Sequence, residues 1–124
     1  MYLAVTSRPD TTHVTFSSQF NVKPTEEHWI LRYLNGTADY CLRYQSSDSD
    51  VIGYTDADWA SNSPERKSFS GSVFALAIGA ISWQCKKQRT TAVSSTEAEY
   101  IALSYSVKEA IDLHGLLQAS IVTA

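Results

Sequence analysis

The chain of 124 residues is short of several things, and each scarcity excludes a class of protein. It holds 2 cysteines, Cys41 and Cys85, which form neither a CxxC pair nor a zinc spacing, so a disulfide scaffold and a thiolate metal site are excluded. Lysine and arginine number 10 against 13 acidic residues, a net charge of −3. A general nucleic-acid binder would be basic, so any such contact must come from a local patch. No apolar run approaches the roughly 20 residues of a membrane span. The start, Met1 to Val5, lacks the charge of a secretory leader and reaches Arg8-Pro9-Asp10 too soon. Repeats are absent too. A soluble intracellular protein with reduced thiols, one domain or less, is the expectation, and 44 % hydrophobic residues are enough for a core.

Residues 1–50 differ in texture from the rest of the chain. Ser7-Arg8-Pro9-Asp10 suits a helix start with an early proline. Val14, Phe16 and Phe20 hint at an amphipathic segment. Pro24-Thr25-Glu26-Glu27 opens a second helix through Trp29 and Leu34, stopped by Asn35-Gly36. Tyr40 to Tyr44 reads as a short strand, and the polar Ser46 to Asp50 as a linker. Beyond it, Val51 to Asp56 is a strand running into acids, and Ser61 to Lys67 a polar loop. Ser70 to Ile78 is apolar on both faces, as a central strand would be. A turn at Gly79-Ala80 leads to Ile81–Lys86, where Ile81, Trp83 and Cys85 alternate with Ser82, Gln84 and Lys86.

The last element is a long helix. Ser94 with Glu97, or Thr96 with Glu99, fits a capping box. Counted at helical spacing, Glu99, Leu103, Val107, Ala110, Leu113 and Leu117 form one stripe, so Glu99 is the acid expected to face whatever the helix packs on. Glu97 lies about 200° round from it. A carboxylate there is either a structural cap or a metal ligand. Asp56 ends an apolar strand, with Asp58 close behind, and a strand-end acid facing a helix-start acid can hold a divalent cation through hard oxygens. Asp112, 13 residues past Glu99, lies roughly 20 Å along the helix and cannot share that site. His13, His28 and His114 form no spaced cluster. Lys86, Lys87 and Arg89 with Trp83, and Arg66 and Lys67 across the sheet, make the one phosphate-facing candidate; the alternative is a solvated loop.

Four blocks in order carry a family resemblance: Gly53-Tyr54-Thr55-Asp56-Ala57-Asp58-Trp59-Ala60; Arg66-Lys67-Ser68 with Ser70-Gly71; Ala80-Ile81-Ser82-Trp83 with Lys86-Lys87-Gln88; and Ser94 to Leu103. They resemble the ribonuclease H domain of copia-type retrotransposon Pol polyproteins. Thr6 to Asp10, His28-Trp29 and Ile30 to Thr37 resemble the end of the preceding reverse transcriptase region. The resemblance implies two parts, 1–47 from that region and 51–124 from the ribonuclease H-like domain. It also implies an α/β fold: an incomplete ribonuclease H-like domain, a three-stranded antiparallel sheet in the order 3-2-1 under one long helix, with a mostly helical N-terminal segment.

The family activity is Mg²⁺-dependent cleavage of the RNA strand of RNA–DNA hybrids, with Asp56 and Glu99 (followed by Ala102) as catalytic and metal-binding residues. Trp83, Lys86, Lys87, Arg89, Arg66 and Lys67 would face the nucleic acid. The family's two further catalytic aspartates lie beyond the long helix and have no counterpart here. The isolated chain is therefore expected to be inactive, with hybrid binding weak or lost. The strand at Val51–Asp56 is expected to present an open edge through which the chain could self-associate. A non-catalytic interaction module using that edge is the alternative.

Overall fold

The computed structural model describes residues 4, 6–12, 14–15, 24–46, 50–62 and 65–122. The segment containing Phe16 and Phe20 lies outside the described residues, as do residues 63–64 of the expected polar loop. Pro9–Thr11 forms a 3-10 turn with proline in its first positions. Helix α1 follows at Pro24–Gly36, within the expected bounds. Strands β1 (Ile52–Asn62), β2 (Lys67–Leu76) and β3 (Gly79–Lys87) precede helix α2 (Ser95–Val122). The strands form one antiparallel sheet in the order β1-β2-β3. No helix among the described residues is long and apolar enough to cross a membrane.

Three boundaries differ from expectation. Tyr40 to Tyr44 is not a strand; it passes the tip of the β2–β3 hairpin, where the Tyr44 hydroxyl donates to the Ala80 carbonyl (2.6 Å) and the Gln45 amide to that of Ala77 (3.0 Å). The hairpin turns at Ala77-Ile78, both at positive φ (52° and 72°), as a two-residue type I′ turn requires. Gly79 serves packing instead: a Cβ there would lie 2.5 Å from the Tyr44 ring. Strand β1 runs past Asp56 to Asn62 because Ala60, at φ 55°, absorbs a register shift while its amide bonds Ser68 Oγ (3.1 Å).

The larger correction concerns the face α2 buries. Ala98 and Ala102 are 0 % and 1 % exposed and Ser106 is buried, whereas Leu103 and Val107 of the expected stripe are 45 % and 47 % exposed. The opposing sheet face carries Ser68, Ser70 and Ser72, and small residues on both sides let the helix approach closely. Polar contacts mark the seam: Ser106 Oγ donates to Thr55 Oγ1 (2.9 Å) and Ser82 Oγ to Glu109 Oε1 (2.6 Å). The larger apolar residues Leu103, Val107, Leu113 and Leu117 sit to one side. With Val51, Gly53 and Phe74 they line a groove of about 540 Å³ along the outer edge of β1.

Candidate metal and nucleic-acid site

Sheet alternation decides where the acids point. Thr55 faces α2, so its neighbours Asp56 and Tyr54 face the other way. Asp56 pairs across the ladder with Gly71, and Gly71 with Cys85. On that face Asp56 and Asp58 line an open depression of about 540 Å³ with Gly71, Trp83, Cys85 and two N-terminal residues, Pro9 and Thr12. The residue directly opposite Asp56 on β2 is Gly71, which has no side chain to meet the carboxylate. Burial, and secondarily the charge of Asp58, pushes the Cys85 thiol up to about 11, so this floor stays neutral.

The helix start divides the two glutamates between two roles. The Glu97 amide donates to Ser94 Oγ (3.2 Å), and Glu97 Oε2 accepts from the Val93 amide (2.7 Å). Of the two possible capping pairs, the structure forms Ser94 with Glu97, which satisfies amides that a helix start leaves without partners. Glu99 and Asp56 are both exposed, and neither carboxylate takes a hydrogen bond or ion pair among the described residues. With Ala98 turned fully into the seam, Glu99 lies about 100° round the helix axis. It sits one turn before Leu103, which lines the groove beside β1. The expectation that Glu99 faces the packing partner is thus corrected: Ala98 does, and Glu99 is exposed.

Level along the sheet is set by Gln88. Its Nε2 donates to Ser70 Oγ (2.8 Å) and to the Ala98 carbonyl (2.9 Å), and Ser70 pairs with Ala57. Glu99 follows Ala98 and Asp56 precedes Ala57, so each acid is one residue removed from this chain of contacts, Glu99 on the helix and Asp56 on the sheet face away from it. Asp56 lies on β1, which has no strand on its other side among the described residues. Hard carboxylate oxygens on exposed side chains suit Mg²⁺, which keeps several waters. Among the described residues no group of three or more His, Cys, Asp or Glu side chains could hold a metal ion together.

The basic residues do not form the single patch expected. Glu65 bridges Lys67 (3.0 Å) and Lys87 (3.1 Å), and both ammonium groups hold its carboxyl below the usual range. The indole of Trp83 donates to the Ala4 carbonyl (2.7 Å), beneath the N-terminal segment. Lys86 faces the α2 side of β3, opposite to Trp83 and Lys87. Lys86, Arg89 and Arg66 are exposed. No local pattern marks Glu65, which sits in a polar loop; only the three-dimensional approach of β2 and β3 reveals its role. Trp59, whose indole donates to the Ala92 carbonyl (3.3 Å), fastens the end of β1 to the loop before α2.

The chain is 48 % identical over 124 residues to the retrovirus-related Pol polyprotein from transposon TNT 1-94 of Nicotiana tabacum, an overlap of 95 % of this chain and 9 % of that protein. Its likeness to the Pol polyprotein from transposon RE2 of Arabidopsis thaliana is 38 % over 115 residues, 87 % of this chain and 8 % of the relative. A secreted RxLR effector protein 161 of Plasmopara viticola is 46 % identical over 118 residues, 90 % of this chain and 83 % of its own length. The chain therefore spans under a tenth of the transposon polyproteins it matches and most of the shorter relative. No protein-family model matches the chain, and no solved structure does so significantly.

Proposed function

The chain belongs to the retrovirus-related Pol polyproteins of copia-type transposons, and from that premise we propose that it carries part of their ribonuclease H-like module. In this reading Asp56 and Glu99 are two of the carboxylates of a Mg²⁺-dependent site that cuts the RNA strand of an RNA–DNA hybrid. The observation that supports the proposal is the tie between helix start and sheet: Gln88 links Ala98 to Ser70, Ser70 pairs with Ala57, and the two acids are the sequence neighbours of Ala98 and Ala57. The order of three antiparallel strands followed by a helix is consistent with an incomplete ribonuclease H-like fold.

Mg²⁺ bound there would activate water and offset charge on the leaving oxygen. Asp56 and Glu99 would be the residues that hold the ion. The absence of a partner on either carboxylate among the described residues leaves both available for it. Lys86, Arg89 and Arg66 would meet phosphates, with Lys67 and Lys87 held back by Glu65. Two carboxylates make a weak site, so the isolated chain should bind Mg²⁺ loosely and cleave no hybrid.

The test is a Mg²⁺ titration of the full chain followed by amide NMR, with hybrid cleavage assayed alongside. Saturable shifts centred on Asp56 and Glu99, abolished in Asp56→Asn, are expected, with no cleavage. Shifts confined to other acids would end the metal-site reading. Cleavage by the chain alone that survives Asp56→Asn would refute the assignment of Asp56.

A further inference from the structure

Gln88 is the largest fully buried side chain among the described residues, 1 % exposed, and it is polar. Its Nε2 makes both of its side-chain hydrogen bonds, to Ser70 Oγ and the Ala98 carbonyl, while its Oε1 is buried without a partner. Its own amide donates to the Ser68 carbonyl (2.8 Å), which fixes the backbone from which the side chain reaches. The amide cannot be turned over, because the Ala98 carbonyl only accepts and must face the NH₂ end. An orphaned buried acceptor is costly, and a methionine or leucine would fill such a space without that cost. A fold that needed only packing here would have no use for glutamine.

We propose that Gln88 is the positioning residue of the start of α2, fixing the height and angle at which Glu99, a candidate metal ligand, leaves the helix. The carbonyl it grips belongs to the peptide that joins Ala98 to Glu99. Holding that peptide to Ser70 sets the height of the helix start on the sheet. It also keeps Ala98 turned inward, and so fixes the angle at which Glu99 leaves the axis. The other seam contacts, at Ser106 and Glu109, lie two and three turns further along. Among the described residues, Gln88 is the side chain that grips the first turn from the sheet side. The inference rests on the metal-site reading for its purpose, though the placement of the first turn can be measured without metal.

Gln88→Met in the full chain tests it, since methionine keeps the volume and removes both hydrogen bonds and the orphaned oxygen. Ser70→Ala is the second variant, should the first fail to fold. Mg²⁺ affinity, metal-free amide shifts and residual dipolar couplings of Glu99 to Ala102, and hydrogen exchange along α2 are read in each. The expected result is a roughly tenfold weaker Mg²⁺ affinity, as for supporting residues around other metal ligands. A reoriented first turn should accompany it, with exchange protection unchanged from Ser106 onward. Unchanged couplings and affinity would overturn the inference, and so would a loss of affinity accompanied by loss of protection along the whole helix. If the wild-type chain shows no Mg²⁺ shift at Asp56 or Glu99, the metal-site reading fails. The metal-free couplings then still decide whether Gln88 sets the first turn.

Discussion

Enlarging a small residue of the helix seam should harm this protein more than truncating a large one beside it. Ala102 is 1 % exposed and lies against the serine-bearing face of the sheet, whereas its neighbour Leu103 is 45 % exposed over the edge groove. Ala102→Leu adds three carbons at a position that is 1 % exposed. Overpacking of that kind costs about 1–3 kcal/mol, and a helix start tied through Gln88 has little freedom to back away, which favours the upper end. Full burial of a leucine side chain is worth about 1.5–3 kcal/mol, so a half-exposed one should lose roughly 1 kcal/mol on truncation to alanine, with alanine's better helix propensity offsetting part of it. Urea unfolding followed by far-UV circular dichroism measures both. Ala102→Leu should move the midpoint by at least twice as much as Leu103→Ala, with the urea dependence unchanged. If Leu103→Ala is the more damaging, the helix buries its apolar stripe and the hydroxyl seam is wrong.

Glu97 and Glu99 should separate cleanly. Glu97→Gln weakens a cap and should lower stability by less than about 1 kcal/mol while leaving Mg²⁺ shifts intact, and Glu99→Gln should do the reverse, as paired melts and NMR titrations would show. At the hairpin tip, Ala77→Asn with Ile78→Gly suits the positive φ at both positions and should stabilise by about 1–2 kcal/mol in the same unfolding assay. Burial pushes the Cys85 thiol up to about 11, against 9.0 for a free thiol, so the folded state retains its proton longer. That stability is complete below pH 9 and is lost as pH rises towards 11. Below pH 9 iodoacetamide should label exposed Cys41 and spare Cys85, and equal labelling would contradict the burial.

The order of elements was readable because each carried its own local signal. Pro24 and Gly36 bound α1, Ser94 and Glu97 start α2, and alternation marks β3. Asp56 and Glu99 were singled out by position at a strand and a helix start. The packing face of α2 was not readable, for a physical reason: hydrophobic periodicity weighs side chains by size, whereas contact with Ser68 and Ser70 selects alanine and serine for closeness. The turn at Ala77-Ile78 was misplaced onto Gly79 because glycine normally supplies positive φ, and here alanine and isoleucine do so. The division of the basic residues depended on Glu65, whose reach to Lys87 comes from strand pairing.

The seam between α2 and the sheet also has a consequence for motion. A helix resting on an oily surface can slide or roll by a fraction of a turn at little cost, because dispersion contacts are exchangeable. This one is held at Ala98, Ser106 and Glu109 by three bonds that all need the same phase and the same height. Displacement by one turn would strand every donor and acceptor of that set at once. The helix therefore has one detent on the sheet, and lateral sequence drift among its large outer residues can proceed without moving the acid at its head.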